Sequence, residues 1–260
     1  MKLSTKILMG GMALLMASTM FIGCPEVVDE NEMISFSGSK ATINYFNDNT
    51  GGFSRGFKTF KTNHEGALCK ITFEDAKTVG TKNGNGVMGF CFDMTKNDDG
   101  SYNFGVAGTR VNKAGALEGY VSYFKKVNPD TLSSGQSFLN MEGKKCEDSI
   151  WPTDGSLSNL KSGIMGSDGN AVCVINVVAN DDGSYKVSFY DSSVINTDGS
   201  LKDDSTAFKE VTVSNSITGL TKKRQADLAV YANVYDKCTL KGSWDFTDIY
   251  GNAIPVEVAE

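Results

Sequence analysis

The sequence predicts an all-β fold, a sandwich or a barrel, on three observations. Apolar and polar side chains alternate with period two through segment after segment. Clusters of Gly with Asn or Asp separate these segments and suit hairpin turns. No stretch of helical length carries a 3.6-residue apolar period.

Residues 1–23 read as an export signal. Lys2 and Lys6 form a basic start, and Ile7 to Ile22 are uncharged and rich in Met, Leu, Ala and Gly. That run is short for a transmembrane span and suits the apolar region of a secretory signal. It ends in Phe21-Ile22-Gly23-Cys24, which resembles the lipobox of bacterial lipoproteins. Phe21 stands where Leu is usual, a departure that the looser spirochaete-type lipoboxes accept. The resemblance implies diacylglycerol on the Cys24 thiol, cleavage before Cys24 and acylation of the new amino terminus. More than one acyl chain gives stable anchoring. Residues 24–32 are then the lipidated Cys and an acidic tether, Pro25 to Glu32, with no apolar periodicity. Pro25 follows the Cys in place of the Asp that marks inner-membrane retention, so an outer-membrane destination is favoured.

Residues 33–260 are expected to form a single β domain. In the first clear strand Ala67, Cys69, Ile71 and Phe73 alternate with Leu68, Lys70, Thr72 and Glu74. Further on, Tyr102, Phe104 and Val106 alternate with Asn103, Gly105 and Ala107. Near the end, Leu228, Val230, Ala232 and Val234 alternate with Ala229, Tyr231, Asn233 and Tyr235. Such alternation sends one face to a core and the other to water. The turns fall at Asn47 to Gly52, Asn83 to Gly86, Asp154-Gly155, Asp168-Gly169 and Asp198-Gly199. The hexapeptide Asn97-Asp98-Asp99-Gly100-Ser101-Tyr102 recurs as Asn180 to Tyr185, and Thr-Asp-Gly-Ser-Leu occurs at 153–157 and 197–201. The acidic spacing lacks the pattern of a calcium loop, so hairpin turns of shared chemistry are expected and no cofactor is assigned.

Gly89-Phe90-Cys91-Phe92, the Asn97 to Gly100 turn and Tyr102-Asn103-Phe104 together resemble a strand–turn–strand unit of the concanavalin A-like lectin and glucanase sandwiches. Leu228 to Asn233, followed by Gly242 to Asp248 with Trp244, resembles the closing strands of that superfamily. The resemblance implies a two-sheet antiparallel jelly roll over about 34–260, and a fold that serves both lectins and enzymes.

Composition narrows the chemistry. The net charge of −6 argues against nucleic acid, whose phosphates require a basic face. The single His, His64, lies in the turn-like Thr62 to Gly66 and is expected to be an exposed loop residue. Gly52-Phe53-Ser54-Arg55-Gly56 matches the nucleophile-elbow pattern, but a strand rather than a helix is expected after it. Retaining glucanases on the concanavalin-like fold place two carboxylates on one strand face, roughly 5 Å apart. Here the acidic pairs are adjacent in sequence (Glu74-Asp75, Glu147-Asp148, Asp203-Asp204) and point to opposite faces of a strand. The chain is therefore not expected to be an enzyme.

Besides Cys24 there are five cysteines. Cys69, Cys91 and Cys173 sit in apolar strands and are expected to pack as small hydrophobes. Cys146 and Cys238 lie in polar surroundings and are the candidate disulfide pair, although connectivity cannot be read from spacing. Trp151, Tyr120, Tyr123 and Trp244 are the candidate ligand-binding residues, since aromatic faces stack on sugar rings. Trp244 and most Tyr also suit a core. Lys222-Lys223-Arg224 reads as a solvated loop tip. The expected function is an exported, lipid-anchored envelope protein with a non-catalytic binding sandwich, glycan being the first ligand class. A structural or protein-binding adhesin is the alternative, and a glycoside hydrolase the third.

Overall fold

A computed structural model describes residues 33–50, 54–76, 84–127, 158–248 and 250–256. Cys24, Cys146 and Trp151 lie outside the described residues. The chain enters through the hairpin β1 (Ile34–Ser37) and β2 (Lys40–Phe46), followed by β3 (Ser54–His64) and β4 (Gly66–Glu74). Then come β5 (Gly86–Lys96), β6 (Tyr102–Val111), β7 (Leu117–Val127) and β8 (Ser158–Lys161). The last third holds β9 (Ala171–Ala179), β10 (Tyr185–Asp191), β11 (Lys209–Val213), a short helix α1 (Asn215–Thr218), β12 (Ala226–Val234) and β13 (Thr239–Thr247).

The fold is a two-sheet antiparallel sandwich. One sheet has seven strands in the order β1-β2-β13-β4-β9-β10-β11, the other six in the order β3-β12-β5-β6-β7-β8. The order follows non-local pairing: β12 lies between β3 and β5, and β13 between β2 and β4. The alternation expected in β4 holds, with Ala67, Cys69, Ile71 and Phe73 facing the core between the sheets. Phe246 of β13 meets Phe60 of β3 and Phe90 of β5 edge to face, at centroid distances of 5.1 and 5.5 Å.

Trp244 is fully buried in this core and donates its indole N–H to the Gly89 carbonyl at 2.9 Å, which ties the two sheets together. It is thus a structural side chain and not a ligand-binding one. Tyr123 also faces the core, where its hydroxyl donates to Asp93 Oδ2 at 2.6 Å.

The six-stranded sheet departs from the expected one-sided burial. Its other face is also apolar and buried, with Cys91, Phe104, Val106, Phe124 and Tyr231 in one cluster. Tyr120 belongs to this cluster and hydrogen-bonds Tyr231 through the two hydroxyls. Tyr120 and Tyr123 are therefore both corrected as ligand candidates: each is 0% exposed, its hydroxyl already paired within the fold. Cys69, Cys91 and Cys173 are buried as expected, and so is Cys238. Burial raises the Cys69 and Cys173 thiols above their ordinary range and keeps them protonated.

The repeated Asn-x-Asp-Gly-Ser segments form one hairpin geometry three times. In each, the Asn N–H donates to the Ser carbonyl, at 2.7, 2.8 and 2.8 Å for Asn97, Asn180 and Asn196. The Asp accepts from the Ser N–H and hydroxyl, as in Asp99 with Ser101, Asp182 with Ser184 and Asp198 with Ser200. These hydrogen bonds hold all three carboxyls below the usual range. The Gly takes a left-handed φ of 83°, 84° and 89° and closes the turn. Among the described residues no group of three His, Cys, Asp or Glu is placed to hold a metal ion.

Two of these glycines are in different surroundings. An added Cβ at Gly100 would meet nothing within 4 Å, whereas at Gly183 it would lie 2.6 Å from the Leu220 Cβ and 2.8 Å from its backbone carbon. Gly100→Ala is expected to cost about 1 kcal/mol for the left-handed backbone. Gly183→Ala should cost about 1–3 kcal/mol more, because the loop after α1 must move. Urea unfolding of the two variants checks this, and equal losses would count against the packing described at Leu220.

Candidate functional site

The site begins at a corner. Strand β3 belongs to the six-stranded sheet and β4 to the seven-stranded one, and only Glu65 separates them. The chain thus changes sheets at His64-Glu65-Gly66. Gly66 allows the close approach this requires: a Cβ there would sit 2.1 Å from the Val177 carbonyl oxygen of β9. The Glu65 carbonyl accepts from the Ala179 N–H at 2.8 Å, which closes the corner against the end of β9.

Three other segments reach the same end of the sandwich. The loop before β12 arrives because Ala226 pairs with His64. The turn after β9 brings Asp181, which bonds Lys223. The turn after β13 follows from the pairing of Thr247 with Leu68. That last turn repeats the geometry of the Asn-x-Asp-Gly-Ser hairpins, with Asp248 N–H donating to the Asn252 carbonyl at 2.8 Å and Gly251 at a φ of 89°. Between them lies a cleft of about 320 Å³, with His64, Glu65, Lys223, Gln225, Asp248 and Tyr250 as its polar and aromatic lining. Val178 and Ala179 supply an apolar wall.

Tyr250 stands at the tip of the last turn and is 77% exposed, the most exposed large aromatic among the described residues. Lys223 Nζ lies 3.1 Å from Glu65 Oε2 and 3.3 Å from Asp181 Oδ1, and these two carboxylates hold the ammonium above its usual range. Desolvation raises the Asp248 carboxyl, but hydrogen bonds from the Asn252 side chain and from the Asn252 and Tyr250 N–H groups outweigh it, with help from His64. Asp248 is therefore held below the usual carboxylate range.

The loop carrying Lys223 and Gln225 is anchored inward by Arg224. Its Nε donates to Asp93 Oδ1 at 2.6 Å, and the Asp93 side chain is fully buried. Asp93 sits at a bulge in β5, at a φ of 55°, so that it shares the core-facing side with Phe92. Its other oxygen takes the Tyr123 hydroxyl, and Tyr185 interacts with it as well. Burial first, and the Asp93 charge second, push both tyrosine hydroxyls far above their ordinary range.

None of the sequence candidates Tyr120, Tyr123 and Trp244 reaches this cleft. His64, expected in an exposed loop, is instead the half-buried last residue of β3 and lines it. Lys222-Lys223-Arg224 is not simply a solvated tip, since Lys223 is bridged by two carboxylates and Arg224 is anchored in the core. Ser54 of the elbow-like pentapeptide begins β3 and donates its hydroxyl to Asn47 Oδ1 at 2.9 Å. It lies at the opposite end of that strand from His64, roughly 30 Å away at strand rise, and makes no triad with it.

No family model and no curated protein matches the chain. Among solved structures it is similar to a legume lectin-like domain from Entamoeba histolytica, with 9% identity over 84% of this chain and 91% of that one, at a TM-score of 0.43. It is also similar to a β-glucanase from Bacillus licheniformis, with 11% identity over 88% and 83% of the two chains and a TM-score of 0.37. The alginate lyase Aly36B matches with 11% identity over 84% and 85%, at a TM-score of 0.35.

Proposed function

We propose that the protein is a lipid-anchored envelope protein whose sandwich binds a glycan without transforming it, in the cleft at the β3–β4 corner. The observation that carries this reading is Tyr250, presented at 77% exposure on the lip of a cleft lined by His64, Gln225, Glu65 and Asp248. An exposed aromatic ring offers a flat apolar platform to the C–H face of a sugar. The amide, imidazole and carboxylate groups beside it offer directed hydrogen bonds to hydroxyls, and the volume suits a ligand of one or two rings. The resemblance to concanavalin A-like sandwiches, carried by Gly89 to Phe92 and the strands around Trp244, agrees with this reading. A structural adhesin without a small-ligand site has less support, because such a protein has no need of the cleft. A glycan array probed with the purified protein and its Tyr250→Ala variant tests the proposal. Signals that vanish in the variant are expected; silence across the array would overturn it.

A hydrolase is the second reading, because Glu65 and Asp248 share the cleft. Glycoside hydrolysis needs one carboxyl kept protonated as an acid. Asp248 is instead held ionised by the donors of its own turn, and Glu65 is bonded to Lys223. No release of reducing sugar is expected from any glycan the array identifies, and release abolished by Glu65→Gln would favour the enzyme.

The anchor is proposed from the basic start at Lys2 and Lys6, the apolar run Ile7 to Ile22 and the lipobox-like Phe21 to Cys24. Cys24→Ala is expected to abolish incorporation of labelled palmitate, and unchanged labelling would remove the lipid from the proposal.

A further inference from the structure

We infer that the cleft takes an uncharged saccharide and selects against uronates and sulfated sugars, an inference that rests on the glycan reading above. Among the described residues one lysine, Lys223, lines the cleft, and its ammonium is already bridged by Glu65 at 3.1 Å and Asp181 at 3.3 Å. The next cation along the chain, Arg224, turns the other way and bonds the buried Asp93. Asp248, also in the lining, adds a carboxylate held in its charged form by three donors. Among the described residues the carboxylates of Glu65, Asp181 and Asp248 therefore outnumber the one lysine around the opening. An acidic sugar would meet like charge there, and would have to share the Lys223 ammonium with the two carboxylates that already neutralise it.

A neutral sugar faces no such obstacle. Its hydroxyls can donate to the Glu65 carboxylate and accept from the Gln225 amide, both of which line the cleft, and hydrogen bonds to a carboxylate are among the stronger ones. Its apolar face can lie on Tyr250, and an alkyl or acetyl substituent can meet Val178 and Ala179. Nothing in this set of contacts requires a charge on the ligand, so binding should depend little on ionic strength.

The test is a titration of the purified protein with neutral oligosaccharides of glucose, mannose or N-acetylglucosamine, and with oligouronates and heparin fragments, at about 0.05 M and about 0.5 M salt. The best neutral sugar is expected to bind at least about tenfold more tightly than any anionic one, with less than about a twofold change between the two salts. The Glu65→Gln/Asp181→Asn double variant releases Lys223 and should gain affinity for oligouronates, in a salt-sensitive manner. Uronate or heparin binding that is tighter in the wild type, falls with salt and is lost in Lys223→Met would overturn the selectivity while leaving a glycan site. Binding of no sugar in either class would overturn the glycan reading itself, and the selectivity with it.

Discussion

Asp93→Ala will destabilise the protein by about 3 kcal/mol or more, the loss expected when one partner of a buried ion pair is removed. The Asp93 side chain is fully buried, and its two oxygens take the Arg224 Nε and the Tyr123 hydroxyl at 2.6 Å each. Alanine removes the carboxylate that accepts from both donors, the buried Tyr123 hydroxyl and the partly buried Arg224 guanidinium. Arg224 keeps some access to water, with its side chain 29% exposed, which places the expected loss toward the lower end of the range for such pairs. For a domain of this size the midpoint of thermal unfolding should fall by roughly 6–12 °C. Asp93→Asn keeps the shape and one acceptor and should lose less. The Asp93→Ala/Arg224→Ala pair should lose less than the sum of its single variants, because the second change removes the charge that the first one stranded. A loss below about 1 kcal/mol, the value typical of surface pairs, would contradict the role assigned to Asp93.

The second large effect is on binding. Tyr250→Ala should weaken glycan binding by about 10- to 100-fold, or about 1.4–2.7 kcal/mol, the range of an aromatic contact that a ligand stacks on. Stability should hardly change, since the ring is 77% exposed and supports no core. Tyr250→Phe keeps the stacking face and should retain most of the affinity. Asp93→Ala offers the converse: it disturbs the anchor of the loop bearing Lys223 and Gln225, so affinity and stability should fall together. If Tyr250→Ala binds like the wild type, the ligand does not rest on this ring.

Much of the scaffold can be read from the sequence because its rules are local. The period-two pattern of Ala67 to Glu74 and the Asn-Asp-Asp-Gly-Ser turns depend on neighbours a few residues apart, and the structure keeps both. Strand order cannot be read in this way, because pairing β12 with β3 and β5 joins residues far apart in the chain. The second apolar face of the six-stranded sheet is hidden for a related reason. Tyr120 and Tyr123 differ in parity and so occupy opposite faces of β7, and both faces are buried. Aromatic side chains on both sides of this strand therefore go with burial on both sides.

The cleft is harder to read because its residues come from four separate segments that only the fold assembles. One signal for it is present in the sequence: Asp248 to Asn252 has its Gly at the same place as in the other hairpin turns, with an aromatic residue at the tip. His64 gives no such signal. Its position follows from β3 running straight into β4 at the corner, a tertiary consequence of two sheets meeting at one residue.

The central claim is that a glycan occupies the cleft at the β3–β4 corner, and the single histidine makes it directly measurable. His64 supplies the only imidazole in the chain, so its ring proton resonances report on that cleft and on no other place. Titrating the purified protein with the best neutral oligosaccharide should shift those resonances saturably, with the dissociation constant measured calorimetrically. Saturable binding that leaves the His64 ring resonances unmoved would contradict it.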